Sequence, residues 1–163
     1  MWALFLCVFP PLFSDEPIDL STAGATMTTS FHVPVETRYS LDIKFEFPSV
    51  DARIRDQIVG DQYNYACRGD IHYEEIPEIH RKGFGRPIPF RIVIRKSSDR
   101  SIVFDRTIVS LCITSHIQKE KWRMIGPLPL TTGGYIAEIT NLESQLDLVG
   151  VKTTIGLYGG HGK

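Results

Sequence analysis

The side chains best suited to chemistry are concentrated in one polar segment of the chain, residues 61–86. The imidazole and carboxylate groups in it offer the nitrogen and oxygen atoms that zinc accepts as ligands. These groups belong to His72, Glu75, Glu78 and His80. Their spacing differs from the HExxH motif, in which two histidines lie one helical turn apart. The pattern favours a polar loop without a metal ion, and a metal-dependent enzyme that uses this loop stays open as an alternative.

The same segment holds side chains suited to recognition. Arg68, Gly69 and Asp70 form the tripeptide that integrins bind, although a given tripeptide often arises by chance. Two tyrosines precede it, and with Trp122 and Tyr158 they could form an aromatic platform for sugars, a role that is rarer than a place in the core. The predicted binding residues are Tyr63, Tyr65, Arg68, Asp70 and Trp122.

No motif of a nucleophilic hydrolase or of a phosphate-binding enzyme accompanies these residues. The GxSxG pattern of the nucleophile elbow is missing from the sequence. Gly83 and Gly85 precede Arg86 and Pro87 rather than a helix, so they do not form a phosphate-binding loop. We therefore predict a non-enzymatic protein with no catalytic residue and no cofactor.

Cys67 and Cys112 are the two cysteines that remain if an N-terminal leader is removed. Cys112 lies in an apolar run, where a buried thiol is common, whereas Cys67 lies in the polar segment, where a free thiol would be exposed. In an oxidising compartment the two residues can form a disulfide. The long loop that it closes predicts about 4 kcal/mol of stabilisation. Two separate buried thiols are the alternative.

The charge balance bears on the class of partner. The 163 residues include 18 basic and 19 acidic side chains, which gives a formal net charge of -1. Nucleic-acid binding requires a concentrated positive field that attracts phosphates, and no sustained basic run supplies one. The composition therefore disfavours nucleic acid as a partner, and the length is that of one domain.

The first fourteen residues are almost wholly apolar. A run of this length is too short to cross a bilayer but is typical of the core of a signal peptide. Cys7 occupies the place of a lipidated cysteine, although Leu6 stands where a lipoprotein signal has a small residue. We predict a leader at 1–14, a linker at 15–24 and one domain at 25–163, located in the periplasm or secreted. A lipid anchor, which would be its one attachment to the membrane, is the minority alternative.

Alternation of apolar and polar side chains dominates the rest of the chain and predicts half-buried strands. In residues 38–47 the apolar side chains face one way and the charged ones the other, as in an antiparallel sheet with one buried face. Residues 88–96 and 101–109 alternate around a polar turn and predict a hairpin. About eight strands result. They predict an all-β fold, an immunoglobulin-like or jelly-roll sandwich with one short helix.

The strands are organised around residues 123–140. Pro127 and Pro129 lack backbone donors, so strand pairing should lapse there, as at an edge or a crossing between sheets. The pair Gly133–Gly134 allows the positive φ of a tight turn. Tyr135 follows the pair. It is either an ordinary strand aromatic or a corner tyrosine, whose hydroxyl bonds to upstream backbone.

The period changes in residues 49–60, which indicates a helix. Apolar residues lie four apart there, at Val50, Ile54 and Ile58. Either Ser49 or Asp51 can cap the start, and Gly60 can end the helix. We predict one short helix that packs across an end of the sandwich.

Short motifs along the chain consist of strands and turns rather than reactive groups. They lie at Pro17–Ser21, Phe31–Val33, Tyr39–Phe45, Arg53–Gly60, Gly85–Ile94 and Leu130–Leu142. Their order resembles that of an uncharacterised family of small bacterial envelope proteins, a domain of unknown function. The resemblance implies a signal-bearing, immunoglobulin-like or jelly-roll domain, and it carries over no catalytic residue.

Three functions are compatible with these features. The first is a non-enzymatic module of the bacterial envelope that binds another protein, supported by a sandwich scaffold with one long polar loop. A specific form of it is an immunity protein against a secreted toxin. The second is a carbohydrate- or surface-binding domain, which requires exposed aromatics on one face. The third is the metal-dependent enzyme that would use His72 and His80.

Overall fold

The computed structural model describes residues 10–61 and 73–159, and it consists of two antiparallel sheets that pack as a sandwich. The strands are β1 Phe13–Pro17, β2 Thr26–Val33, β3 Thr37–Glu46, β4 Ile88–Lys96, β5 Ile102–Ser110, β6 Ser115–Ile117, β7 Glu120–Leu130, β8 Gly133–Asn141 and β9 Lys152–Tyr158. The helices are α1 Val50–Arg55 and the 3-10 turns Tyr73–Glu75 and Glu78–His80. One sheet has the order β1-β9-β3-β7-β6 and the other β2-β8-β4-β5. The predicted all-β sandwich is confirmed.

The core lies between the two sheets and follows the predicted alternation. In β3 every second residue from Tyr39 to Phe45 is at most 4% exposed, and in β4 every second residue from Ile88 to Ile94 is fully buried. The predicted hairpin is confirmed, since β4 and β5 pair throughout their length. These side chains form one continuous apolar cluster from both sheets, whose burial supplies the main driving force for folding.

The stretch 123–140 joins the two sheets. β7 belongs to the five-stranded sheet and β8 to the four-stranded sheet, and Thr131 and Thr132 connect them. The glycine pair that was predicted as the turn lies inside β8 instead. Gly133 still has a φ of 145°, which favours glycine, because the chain changes direction as it enters β8.

Two tyrosines tie the start of a strand to the turn before it. The Tyr135 hydroxyl donates a hydrogen bond of 2.8 Å to the Thr131 carbonyl, and the residue is 3% exposed. This is the corner arrangement, one of the two roles that the sequence left open for Tyr135. Tyr39 repeats it in β3, where its hydroxyl donates to the Val35 carbonyl at 2.7 Å.

The sequence predicted that strand pairing lapses at the two prolines, but β7 stays paired with β3 there. Pro127 lies opposite Ser40, and Pro129 lies opposite Arg38. On its other side β7 pairs with β6 only as far as Trp122. Within the described chain, the prolines thus lie where β7 has no strand neighbour on that side. A residue without an N–H group is tolerated at such an edge.

Residues 13–17 form β1, where the sequence predicted the end of a leader and the start of a linker. β1 pairs with β9, and the ring of Phe13 lies 5.4 Å from that of Phe31. Ile18 and Leu20 follow the strand and are also buried. The pattern did not reveal β1 because most of its side chains are polar and exposed, and its place is fixed by backbone pairing.

Helix α1 is shorter than predicted. Ser49 caps its start as one of the two expected caps, but it ends at Arg55 rather than near Gly60. Val50 and Ile54, which were expected to pack on the sandwich, are 45% and 64% exposed. The residues after α1 instead form a turn, whose amides donate hydrogen bonds to the side chain of Asp56. No helix in the described ranges has the length and apolar composition needed to cross a membrane.

Candidate functional site

The outer face of the five-stranded sheet carries Trp122, a predicted binding residue. Trp122 lies opposite Lys44 of β3, and Lys44 lies opposite Thr154 of β9. Residues that are directly opposite in an antiparallel pair project from the same face. Ile43 and Arg123 alternate with them and are fully buried in the sandwich. Trp122 and Lys44 therefore project outward.

Tyr158 lies against Trp122 on this face. The ring centroids are 5.9 Å apart and the ring planes are inclined at 72°, an edge-to-face arrangement that aromatic pairs favour. The Tyr158 ring folds back over Gly156 of the same strand. A Cβ at Gly156 would lie 2.5 Å from the hydroxyl oxygen and 2.7 Å from ring carbons. The absence of a side chain at Gly156 therefore makes room for the aromatic pair.

Lys44 links Trp122 to the N-terminal strand. Its Nζ atom is 5.5 Å from the centroid of the Trp122 ring and 2.7 Å from Oδ1 of Asp15. Asp15 belongs to β1, which is separated from β3 by β9. It has a φ of 57°, at a bulge between Phe13 and Glu16. The bulge directs the Asp15 carboxylate across the sheet to Lys44.

These contacts shift the pKa values of Asp15, Lys44 and Tyr158 on this face. The hydrogen bond to Lys44, and then its charge, lower the pKa of Asp15. The same hydrogen bond raises the pKa of Lys44 against the effect of burial. Burial, and then the charges of Asp15 and Asp42, raise the pKa of Tyr158, so its hydroxyl is neutral at pH 7. We call Trp122, Tyr158, Lys44 and Asp15 the aromatic patch.

The aromatic patch is suited to binding. Its members are an indole, a phenol and an ammonium group that a carboxylate already neutralises, and this set does not form a nucleophile activated by a base. Trp and Tyr are enriched among the residues that dominate binding energy at interfaces, because they offer a large area at a small cost in conformational entropy. Here the strands and Gly156 fix the orientation of the Trp122 and Tyr158 rings before a partner binds.

We expect Gly156→Ala to disrupt the aromatic patch in a folded domain. The methyl group would displace the Tyr158 ring, and the free energy of unfolding should change by about 1 kcal/mol or less. The NMR resonance of the Trp122 indole N–H should shift. Gly134→Ala is the matched control, since its methyl group would meet only Ser97, at 3.2 Å. An unchanged Trp122 resonance in the Gly156→Ala variant would contradict the packing described.

A second polar group lies inside the sandwich. Arg123 is fully buried and donates five hydrogen bonds of 2.7–3.2 Å, all to backbone carbonyls. The carbonyls belong to Ile58, Val59, Arg86 and Ser110. Burial lowers the pKa of Arg123 to about 9, against the effect of the Asp56 charge, so the guanidinium is cationic at neutral pH. Arg123 therefore fastens to β7 the turn after α1, the segment before β4 and the last residue of β5.

Lys121 and Asp56 form a buried ion pair two residues along β7 from Arg123. Lys121 Nζ lies 2.7 Å from Asp56 Oδ2, and the side chains are 2% and 4% exposed. The carboxylate also accepts hydrogen bonds from the amides of Ile58, Val59 and Gly60. Asp56 is thus the side chain that fixes the turn after α1 and ends the helix early.

These buried groups hold the two ends of the polar segment 61–86 together. The Asp61 amide donates to the Gly83 carbonyl at 3.0 Å. Gly85 has a φ of 77°, and a Cβ there would lie 2.5 Å from a carbonyl oxygen and 2.6 Å from Nη2 of Arg123. The two ends of the segment therefore lie next to each other. Arg123 hydrogen-bonds to the backbone beside both of them, at Val59 and Arg86.

Three of the four predicted metal ligands lie in the described part of this segment. Glu75, Glu78 and His80 lie on the two 3-10 turns, and all three are exposed. Within residues 10–61 and 73–159, no group of three His, Cys, Asp or Glu side chains is arranged to hold a metal ion. His72 lies outside these ranges, so a site that includes it stays a prediction.

Five more predicted residues lie outside the described ranges: Tyr63, Tyr65, Cys67, Arg68 and Asp70. Their roles in binding, and the bond between Cys67 and Cys112, stay predictions. Cys112 is 3% exposed and packs with Phe84 and Leu111. It has a φ of 58°, at the point where the chain leaves β5.

Sequence reasoning missed Lys121, Arg123 and Asp56. A signal for the first two was available, because they alternate with Ile125 along β7 and so occupy core-facing positions. Charged side chains at such positions must be paired or hydrogen-bonded throughout. The partners of Lys121 and Arg123 include Asp56 and Ile58, which are far away in sequence. No local sequence pattern identifies such partners.

Comparisons with known proteins bear on the fold. The family model DUF5625, described as a domain of unknown function, matches residues 15–159. A crystal structure of a protein from Sulfurospirillum deleyianum matches with a TM-score of 0.69 and 21% sequence identity, covering 94% of this chain and 99% of that chain. At this identity the likeness shows a shared fold alone. No curated protein matches the chain.

Another similar structure is that of a family GH115 4-O-methyl-alpha-glucuronidase with specificity for decorated arabinogalactans. The match has a TM-score of 0.42 and 11% identity, and it covers 99% of this chain but 19% of that chain. A likeness at this level carries no argument about the present chain.

Proposed function

The chain belongs to the DUF5625 family, and we propose that it is a non-enzymatic protein-binding module of the bacterial cell envelope. The observation that carries the proposal is the aromatic patch, in which a half-buried tryptophan and a half-buried tyrosine are held on the outer face of a sheet. Residues of these types dominate the binding energy of many interfaces. Their fixed orientation lowers the entropy lost on binding.

The surroundings of Trp122 favour a protein over a sugar as the partner. A sugar ring that stacks on an indole needs an open aromatic face. Lys44 lies over the Trp122 ring and Tyr158 meets it edge to face. The surface that is left combines two aromatic side chains of types enriched at protein interfaces with charged groups such as those at the polar rim of an interface.

The location in the envelope is proposed from the apolar run at the start of the chain, which is typical of a signal peptide. The amide of Leu12 bonds to the carbonyl of Leu157 at 2.8 Å, and Phe13 is buried in the core. A leader should therefore end ahead of Leu12 rather than after residue 14. In the lipoprotein form, Cys7 would carry the lipid. An immunity protein against a secreted toxin is one specific form of the proposed module.

We expect the mature protein to contain a disulfide between Cys67 and Cys112. A covalent bond from the buried Cys112 would restrain the polar segment in an oxidising compartment. Thiol titration of the denatured, unreduced mature protein should then find neither thiol free. Two free thiols would contradict the bridge.

The experiment that tests the proposed function is affinity capture of the partner from the envelope of the native host, followed by measurement of its affinity. Trp122→Ala should weaken binding of the captured protein by at least about 30-fold, as expected for a residue that dominates an interface. Thr107→Ala, on the outer face of the other sheet, is the matched control and should bind like the wild type. Equal binding by all three proteins would overturn the proposal. Trp122-dependent binding of a glycan instead of a protein would also overturn it.

A further inference from the structure

The edge strands of the two sheets differ in how open they are to another chain. In the described part of the chain, the four-stranded sheet ends in β2 and β5, and the five-stranded sheet ends in β1 and β6. Every second residue of an edge strand directs its backbone N–H and C=O groups away from the sheet, where another strand can pair with them. Three of these edges carry features that hinder such pairing, and β2 does not.

Bulges, charges and prolines interrupt the other three edges. β1 has a bulge at Asp15 and ends at Pro17. β5 has a register shift against β4, and its Arg106 lies on the core side, opposite the fully buried Ile92. β6 has only three residues, and beyond it the open edge of β7 contains two prolines. Natural proteins use such features to keep strands from adding to an edge.

The edge at β2 is regular and uncharged. Its eight residues, Thr26–Val33, pair with β8 without a register shift, and none of them is Asp, Glu, Lys, Arg, Pro or Gly. Within residues 10–61 and 73–159, β8 is the only strand paired with β2, and no backbone hydrogen bond joins the other side of β2. Backbone groups that repeat along an open edge pair with an extended chain, as in β-strand addition.

A carboxylate marks one position along this edge. The core-facing side chains Met27 and Phe31 are 5% and 7% exposed, whereas Thr29 between them is only half-buried. The Thr29 hydroxyl donates a hydrogen bond of 3.3 Å to Oε1 of Glu16, in the edge strand of the other sheet. Among the described residues, Glu16 forms no ion pair. Its charge is therefore available to a cation that arrives beside Thr29.

Strand β1 connects this edge with the aromatic patch. Consecutive residues of β1 reach the two surfaces, since Asp15 pairs with Lys44 in the aromatic patch and Glu16 bonds to Thr29 in β2. The two surfaces are therefore neighbours around one edge of the sandwich. A partner that covers the aromatic patch has the open edge of β2 beside it.

We propose that an extended segment of the partner protein adds to β2 as a new edge strand of the four-stranded sheet, with a lysine or arginine side chain opposite Thr29 and beside Glu16. The inference rests on the proposed function and names how the partner binds. Main-chain hydrogen bonds supply the affinity, and the basic side chain fixes the register. A second copy of β2 is a poorer occupant, because pairing along most of the strand would place two Glu16 carboxylates close together.

The probe is the acetylated heptapeptide amide with the sequence TVTKTVT, whose lysine and valines alternate with threonines as in a strand. Hydrogen exchange is measured by NMR on the full, isotope-labelled chain. With the peptide in saturating excess, exchange at alternate amides of β2 should slow by at least about tenfold. The amides of β5, the other edge of the same sheet, are the internal control and should keep their rates. Unchanged exchange in β2 would overturn the inference, and so would equal slowing in β5.

A second peptide, with glutamate in place of the lysine, tests the position of the charge. It should bind at least about fivefold more weakly than the lysine peptide. Glu16→Gln keeps an oxygen for Thr29 but removes the charge, so the two peptides should then differ by less than about twofold. Glu120→Gln, on the outer face of the five-stranded sheet, is the matched control and should keep the full difference. Equal affinities for the two peptides in the wild-type chain would show that Glu16 selects no basic residue and would contradict the inference.

The two proposals fail in different ways. Capture of a partner that depends on Trp122, together with no slowing of exchange in β2 by the lysine peptide, would keep the protein-binding function and overturn the strand addition. Slowed exchange in β2 with the expected charge preference, without any Trp122-dependent partner, would support the strand addition and overturn the function proposed for the aromatic patch.

Discussion

Replacement of Arg123 by methionine is expected to lower the free energy of unfolding by about 3–5 kcal/mol. Methionine has a similar length but offers no donor, so the carbonyls that Arg123 satisfies would be left without partners in a fully buried site. The measurement is equilibrium unfolding in urea, followed by circular dichroism. A loss below about 1 kcal/mol would show that water replaces the guanidinium and would contradict the role given to it.

The control for this variant is Arg91→Met. Arg91 pairs with Asp105 at 3.0 Å, but its side chain is 56% exposed. Exposed pairs of this kind contribute little, so we expect a loss of at most about 1 kcal/mol. If Arg123→Met does not fold, Arg123→Lys provides a milder test, since lysine keeps the charge but not the fork of donors. Hydrogen exchange at the amide of Asp61, next to the Arg123 site, should then become faster.

Asp56→Asn is also expected to lower the free energy of unfolding, by about 3–5 kcal/mol. Asparagine keeps one oxygen for the amides of the turn, but it leaves the Lys121 ammonium buried without a counter-charge, at 2% exposure. Unfolding experiments on the single variant would measure the loss. A value below about 1 kcal/mol would mean that Lys121 escapes to solvent.

A double-mutant cycle separates the ion pair from the turn. Lys121→Met removes the buried charge, so the combination with Asp56→Asn should be more stable than Asp56→Asn alone. Asp105→Asn and Arg91→Met supply the matched cycle on the surface, where we expect little coupling. Additive losses in the buried pair would contradict a direct interaction between Asp56 and Lys121.

The parts of the fold that the sequence predicts are those governed by alternation. β3 and β4 follow from it because one face of each strand packs in the core and the other is more exposed. For Tyr135 the local pattern left two roles open, a corner tyrosine and an ordinary strand aromatic, because its hydrogen bond to Thr131 decides between them. The extent of α1 could not be predicted, since Asp56 ends it by bonding to amides that the chain presents only once it is folded.

The candidate site was predicted only in part. Trp122 and Tyr158 were both recognised as aromatics, but their contact depends on the order β9-β3-β7 and on Gly156 beneath the Tyr158 ring. The ion pair of Asp15 and Lys44 depends on the edge strand β1. The sequence pattern did not predict β1, because most of its side chains are polar and exposed. Strand order is a long-range property, and for that reason local pattern did not bring these four residues together.

The most direct test of the aromatic patch as a binding surface is photo-crosslinking in the native host from a benzoylphenylalanine at position 124. Met124 lies opposite Asp42 on the outer face and is two residues from Trp122. Thr107, on the outer face of the other sheet, is the control position. We expect a specific protein adduct from position 124 and none from position 107. An adduct from position 107 alone would contradict a binding surface at the aromatic patch.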